Sequence, residues 1–215
     1  KSILVFDFDG VLADSVNIKA NAFAELYSPY GSEIVDQVVA HHLANGGMSR
    51  FDKFRYYHDV YLNMRRDQFD MDSLANKFSK IVFDKVIMCP EIPGARKFIQ
   101  ENFLQRKCFI NSATPQNEIC QIISARGLQK YFLSVLGSPA SKSENLKKIR
   151  KIYPNVSTSR FVFFGDSLSD LEAAKNNNID FIGIAGGTGN ENSALHGLIA
   201  NDMLIKDFNC ILRSS

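Results

Sequence analysis

The chain has 215 residues, 45% hydrophobic and 22% charged, with 25 basic and 23 acidic side chains and a formal net charge of +2. That composition is ordinary for a globular protein and excludes a disordered chain. A balance so close to neutral gives no electrostatic reason to expect nucleic acid or membrane as the main partner, so any affinity for anions must come from a local cluster.

The first element in chain order is the apolar run 2–6, which stops abruptly at Asp7-Phe8-Asp9-Gly10. Three later runs share the design: 107–112 ends in Asn111-Ser112, 161–166 ends in Gly165-Asp166, and 180–184 leads into Ala185-Gly186-Gly187. Runs apolar throughout suit strands buried on both faces. Helical patterns over 94–105, 117–126, 143–152 and 168–176 separate them. Alternation of this kind predicts an α/β fold, a doubly wound parallel sheet with helices on both sides, and ligands beyond the carboxyl ends of its strands. Asp7, Ser112 and Asp166 all fall at those ends.

The stretch 16–88 carries no comparable strand and is far too long for a plain loop. Phe51, Phe54, His58, Tyr61 and Met64 recur at helical spacing, as do Leu74, Phe78, Ile81 and the polar Lys85. We expect an inserted α-helical domain over 16–88, with 1–15 and 89–215 forming the core. Pro90 and Ile92-Pro93-Gly94 mark the return, because Pro and Gly interrupt both helix and strand.

Cys89, Cys108, Cys120 and Cys210 form no CxxC pair and no close-spaced metal set. We expect Cys108 and Cys120, in apolar segments, to be buried free thiols. Lys1 to Phe8 is too short and too soon interrupted by acid to be a signal peptide, and no apolar stretch approaches the roughly 20 residues that span a bilayer. A cytoplasmic protein is the expectation.

Asp7 and Asp9 stand two apart where the chain leaves a strand, and Gly10 permits an unusual turn. One carboxylate can attack phosphorus as a nucleophile, and the second can protonate the departing oxygen and then deprotonate water. By itself the tetrapeptide is better read as an acidic turn capping a helix that begins near Asp14-Ser15. Gly165-Asp166-Ser167-Leu168-Ser169-Asp170 adds two acids after a second buried strand. A helix cap explains one of them, through Asp166 or Ser167, with Asp170 favoured by the helix dipole. Carboxylates gathered near a phosphate repel it and one another unless a hard cation sits among them, and magnesium fits that role. Ser112 can donate its hydroxyl to a phosphoryl oxygen, beside Ala113 and a helix starting near Pro115 whose N–H groups point the same way. Lys142 can neutralise phosphate and nucleophile, whereas Lys147, Lys148 and Lys151 read as solvated.

In order and spacing, Asp7-Phe8-Asp9-Gly10-Val11, Ser112, Lys142 and Gly165 to Asp170 resemble the four motifs of the haloacid dehalogenase superfamily, in its phosphoglycolate phosphatase and β-phosphoglucomutase branch. The resemblance covers the whole chain, since 16–88 falls where that family carries its helical cap, and implies a Rossmann-like core. It makes Asp7 the nucleophile, Asp9 the general acid and base, and Ser112, Ala113 and Lys142 the phosphoryl-binding residues. It implies Mg2+ held by the Asp7 carboxylate, the Asp9 backbone carbonyl and Asp166, with Asp170 and Ser167 in support. The alkyl-halide dehalogenase branch lacks the second aspartate of the first motif, so Asp9 argues against it.

Within the insertion, Gly46-Gly47-Met48-Ser49-Arg50 leads into a cationic helix on which Arg50, Lys53 and Tyr57 share a face. Gly47 to Arg50 also resembles the specificity loop of β-phosphoglucomutase, which implies that Arg50, with Lys53, grips an anionic group on the far end of the substrate. A solvated basic face backed by aromatics is the competing reading, and for His41 and His42 we expect cap packing or exposure. The implied function is a magnesium-dependent phosphatase acting on a small phosphorylated metabolite of the phosphoglycolate or sugar-phosphate kind. Three rivals stand beside it. A phosphomutase is disfavoured by Lys19, where mutases have a hinge histidine, and by Gly165, where they have a metal-binding acid. A phosphonate hydrolase would form a Schiff base on Lys19 or Lys53, and Asp9 counts against it. A catalytically silent binding module conflicts with four filled motifs.

Overall fold

The structure, a computed structural model, describes residues 1–187, 195–200 and 203–212, which include every expected site residue. Strand β1 (Ile3–Phe6) is followed by four longer helices, α1 (Val16–Tyr27), α2 (Ser32–Ala44), α3 (Arg50–Tyr56) and α4 (Met71–Met88). After them come α5 (Ala95–Asn102), β2 (Lys107–Pro115), α6 (Gln116–Ala125), β3 (Ser134–Ser138) and α7 (Lys142–Ile152). The chain continues through β4 (Phe161–Gly165), α8 (Leu168–Asn176), β5 (Asp180–Ile184), β6 (Leu204–Ile205) and α9 (Asn209–Leu212). The six strands form one parallel sheet in the order β3-β2-β1-β4-β5-β6. This is the expected Rossmann-like core with an inserted helical cap.

The alternation of β1 shows why its run is apolar throughout. Leu4 and Phe6 enter one core with Phe98, Phe164 and Phe208, whereas Ile3 and Val5 enter the other with Phe163, Leu146 and Ile149. Phe6 and Phe164 stack with centroids 4.9 Å apart, tying β1 to β4 where both strands deliver acids. The order of strands reverses at β1, so the crevice between the β1 and β4 ends is the switch point where such sheets bind ligands.

Two strands were not anticipated. β3 (Ser134–Ser138) lies at one edge, half-buried over much of its length and bounded by serines, so it lacks the apolar run of an internal strand. β6 has only two residues at the opposite edge. β2 runs three residues past Ser112, with an irregular register between Asn111 and Pro115. The expected helix through Met64 gives way to a π-helical turn at Tyr57–Tyr61, leaving Met64 outside.

In the insertion, Phe23, Phe54, Tyr57 and Phe78 are buried around a shared centre, with Phe23 and Phe78 rings 4.5 Å apart. The two crossings back to the core lie side by side. Ala13 bridges Glu91, Asp14 N–H donates to Pro90 O at 2.9 Å, and Ile92 N–H donates to Leu12 O at 3.2 Å. α4 ends at Cys89, which adopts an extended backbone, and Arg126 Nη1 donates to the carbonyls of Val86, Ile87 and Cys89 at 2.8, 2.9 and 3.0 Å. A core arginine thus satisfies acceptors that a helix terminus leaves open. Cys89 and Cys108 are buried and Cys120 is half-buried, all three as free thiols. No described helix is long and apolar enough to cross a membrane.

Candidate active site

Asp7 follows β1 directly, and its backbone N–H donates to Phe164 O of β4 at 2.9 Å. Its carboxylate accepts from Phe8 N–H at 2.6 Å and from Lys142 Nζ at 2.6 Å. The chain then turns tightly, with Phe8 O accepting from Leu12 and Ala13, and Gly10 takes the left-handed φ of 74°. That turn, open to glycine at little cost, brings the Asp9 side chain to Ser15, Lys19 and Thr114.

Lys142 opens α7 and is buried. Its Nζ sits between Asp7 and Asp170, 2.6 Å from each, and Asn111 Nδ2 donates to its carbonyl at 2.9 Å. Burial alone would lower its pKa, but Asp170 and Asp7 outweigh burial and keep the ammonium charged. Asp170 Oδ2 accepts from the Ser167 hydroxyl at 2.6 Å and from Ser167 N–H at 3.2 Å, so one acid both caps α8 and anchors Lys142. A Cβ at Gly165 would overlap the Asp170 side chain, which accounts for glycine there.

Carboxylate oxygens of Asp7, Asp166 and Asp170 lie within 4.8 Å of one another. Burial, joined by Asp170, Asp166 and Asp9 and opposed by Lys142, pushes Asp7 well above the usual carboxylate range. A hard cation among these oxygens would relieve that crowding, and an all-oxygen donor set suits magnesium.

Asp9 answers to a different set of groups. Its Oδ1 accepts from Ser15 Oγ at 2.6 Å; its Oδ2 pairs with Lys19 Nζ and accepts from Thr114 Oγ1 at 3.2 Å. Burial pushes this carboxyl up, but the Lys19 charge and the bonds from Lys19, Ser15 and Thr114 outweigh burial and hold it below its ordinary value. Two aspartates two residues apart are thereby driven in opposite directions. Ser15, read in the sequence as part of a helix start, makes no cap bond and serves Asp9 instead. Thr114 had only its position after Ser112 to recommend it.

Ser112 is buried on β2, and its Oγ accepts from Thr114 N–H at 3.2 Å. Ala113 and Lys142 line a cavity of about 280 Å³ with Gly47 and Met48 of the insertion and Ser138 and Ser169 of the core. The insertion is closed over this edge: a Cβ at Gly47 would overlap the Ser169 hydroxyl.

The expected far-end residues are both buried, so the basic helix face is not solvated there. Arg50 donates to Glu118 of α6 through both terminal nitrogens, at 2.5 and 2.9 Å, and to Ser79 Oγ at 2.7 Å. Its charge is spent within the protein. Lys53 instead meets His42, Nζ to Nδ1 at 2.7 Å. Tyr57 is buried in the cap, as is His42, while His41 is only partly covered.

A family profile for haloacid dehalogenase-like hydrolases matches residues 4–184, and the chain belongs to that family. A phosphorylated carbohydrates phosphatase of Thermotoga maritima is 26% identical over 187 residues, 83% of this chain and 82% of its own length. Among solved structures, a predicted phosphoglycolate phosphatase from Haemophilus somnus superposes with a TM-score of 0.76 at 16% identity, covering 99% of this chain and 97% of its own. The candidate HAD-hydrolase YfnB of Bacillus subtilis, solved bound to magnesium, superposes with a TM-score of 0.70 at 16% identity and the same coverage. At those identities the structural likeness speaks for the fold alone.

Proposed function

We propose that the protein is a magnesium-dependent phosphatase that hydrolyses a small phosphorylated metabolite through an aspartyl-phosphate on Asp7. The observation that carries this reading is the division of labour between Asp7, aimed by Lys142 and Phe8 N–H at the sheet switch point, and Asp9, held apart by Lys19, Ser15 and Thr114. Family membership and the name of the Thermotoga maritima relative support it.

Asp7 and Asp166 are the side chains that would hold Mg2+, with the Asp9 carbonyl as family resemblance implies and Asp170 and Ser167 in support. The metal would neutralise phosphoryl and carboxylate oxygens drawn into one place. Lys142 and Ser112 would bind the remaining phosphoryl oxygens, with the Ala113 backbone beside them. An Asp7 oxygen forms a bond to phosphorus while the ester P–O bond breaks, and the leaving oxygen takes a proton from the minor, protonated form of Asp9, whose ionised form is the base of the second step. Water then attacks phosphorus, Asp9 takes its proton, and the Asp7–phosphorus bond breaks to release phosphate. The closed insertion would keep bulk water from the transfer.

Hydrolysis is favoured over transfer between two hydroxyls of a bisphosphate intermediate, because Arg50, the residue expected to hold a distal phosphate, is already neutralised by Glu118. Phosphate release from a panel of small phosphomonoesters, with magnesium and with chelator, tests the reading. Release that ignores chelation, or none from any ester, would sink it.

A further inference from the structure

Two asparagines lie buried beneath the catalytic edge, Asn111 on β2 and Asn145 on α7, the latter 1% exposed. Asn111 shares a strand face with Phe109, and Asn145 precedes Leu146, both of the second core. Amides in such a layer cost free energy unless their donors and acceptors are met.

Asn145 Nδ2 donates to Gly137 O of β3 at 3.3 Å and to Asn111 Oδ1 at 3.1 Å. Asn111 Nδ2 in turn donates to Lys142 O at 2.9 Å. The backbone carbonyls at the two ends of this relay can only accept, so they fix the direction of both amides. Gly137 O requires the NH2 end of Asn145, that end meets the oxygen of Asn111, and the NH2 of Asn111 is left for Lys142. Without Asn145, Asn111 loses the group that selects its orientation.

The relay ends on the residue whose ammonium stands 2.6 Å from both Asp7 and Asp170. α7 does not need it as a cap. Ser141 Oγ already accepts from Glu144 N–H at 3.2 Å, and Glu144 Oε2 accepts from Ser141 N–H at 2.7 Å. What the amides add is the placement of Lys142 against β2, the strand that also carries Ser112.

Resting on the phosphatase reading, we infer that Asn145, acting through Asn111, is a positioning residue for phosphoryl transfer. It holds the first turn of α7 so that the Lys142 ammonium and the Ser112 hydroxyl meet the transferring group from one fixed frame.

The test is a double-mutant cycle between Asn145→Leu and Lys142→Met. A misplacement on the order of 1 Å costs up to about a hundredfold in rate, so Asn145→Leu should lower kcat/KM by about tenfold or more. With Lys142→Met the ammonium is gone, and the same substitution should change the remaining kcat/KM by no more than about twofold. A merely structural asparagine would cost the same factor in both backgrounds. Thermal melts report folding. Should Asn145→Leu alone not fold, Asn111→Leu with Asn145→Leu replaces both partners by apolar groups of similar shape and should show the same dependence on Lys142. Calorimetric titration of the protein with inorganic phosphate, in the presence of magnesium, reads the same cycle without turnover. Equal losses in both backgrounds, or unchanged kcat/KM and phosphate affinity in folded Asn145→Leu, would overturn the assignment. A Lys142-dependent loss of phosphate affinity in a protein that releases no phosphate from any ester would keep it and refute the phosphatase.

Discussion

Arg50 of α3 and Glu118 of α6 form a buried two-pronged ion pair across the seam between insertion and core, with Ser79 of α4 donating to Glu118 Oε2 at 2.6 Å. Removing one partner of such a pair strands the other charge, at about 3–5 kcal/mol. Arg50→Ala and Glu118→Ala should each lower the melting temperature by several degrees and weaken kcat/KM for all substrates alike. The pair Arg50→Met with Glu118→Leu should recover much of the lost stability. A double-mutant cycle read by thermal melts checks this, and additive losses would show that the pair is not coupled.

Gly47 touches the core where any side chain would collide with Ser169. Gly47→Ala should hold the insertion off the site and lower kcat/KM about tenfold or more, with the melting temperature little changed. Normal kinetics in that variant would mean that catalysis does not need this approach.

Lys19 contacts Asp9 and Thr114. Lys19→Met should reduce kcat about tenfold or more with little change in KM, because the lost charge supports Asp9 as the base in the second half-reaction. Stopped-flow assays should then show a burst of released alcohol equal to the enzyme, followed by slow turnover. An unchanged kcat would remove Lys19 from the mechanism.

Lys53 predicts a pH signature of stability. Its pKa falls from 10.5 to about 7 on folding, so between those values the unfolded chain binds more protons. Its contribution therefore makes stability rise with pH from about 7 to about 10.5, and below that window the full penalty applies. The groups around it are His42 and His41 on α2, Lys19 on α1, and Asp9, Lys142 and Asp166 of the core. Lys53→Met should raise the melting temperature most at pH 7 or below and least near pH 10. A difference that does not vary with pH would contradict the buried-charge reading.

Much of this arrangement was legible in the residues themselves. Asp7, Ser112 and Asp166 could be placed on one sheet edge because their strands are continuous apolar runs, and Lys142 through its place among ordered motifs. The edge strands escaped notice because β3 is serine-bounded and half-buried and β6 is two residues long, so neither has a pattern to read. The fate of Arg50 was hidden for another reason. Its partner Glu118 lies 68 positions away on a helix whose first-turn acid looks like ordinary dipole compensation. The surroundings of Lys53 were hidden in the same way, because His42 of α2 and Phe23 of α1 are brought to it only by the fold.

The central claim is that Asp7 carries the phosphoryl group, and rapid-quench peptide mass spectrometry during turnover tests it most directly. With magnesium and a substrate ester, the wild type should show one phosphoryl group on Asp7, absent with chelator and in Asp7→Asn, whose turnover should fall at least about a thousandfold. Undiminished turnover by Asp7→Asn, or a phosphoryl group trapped on a different residue, would contradict the account.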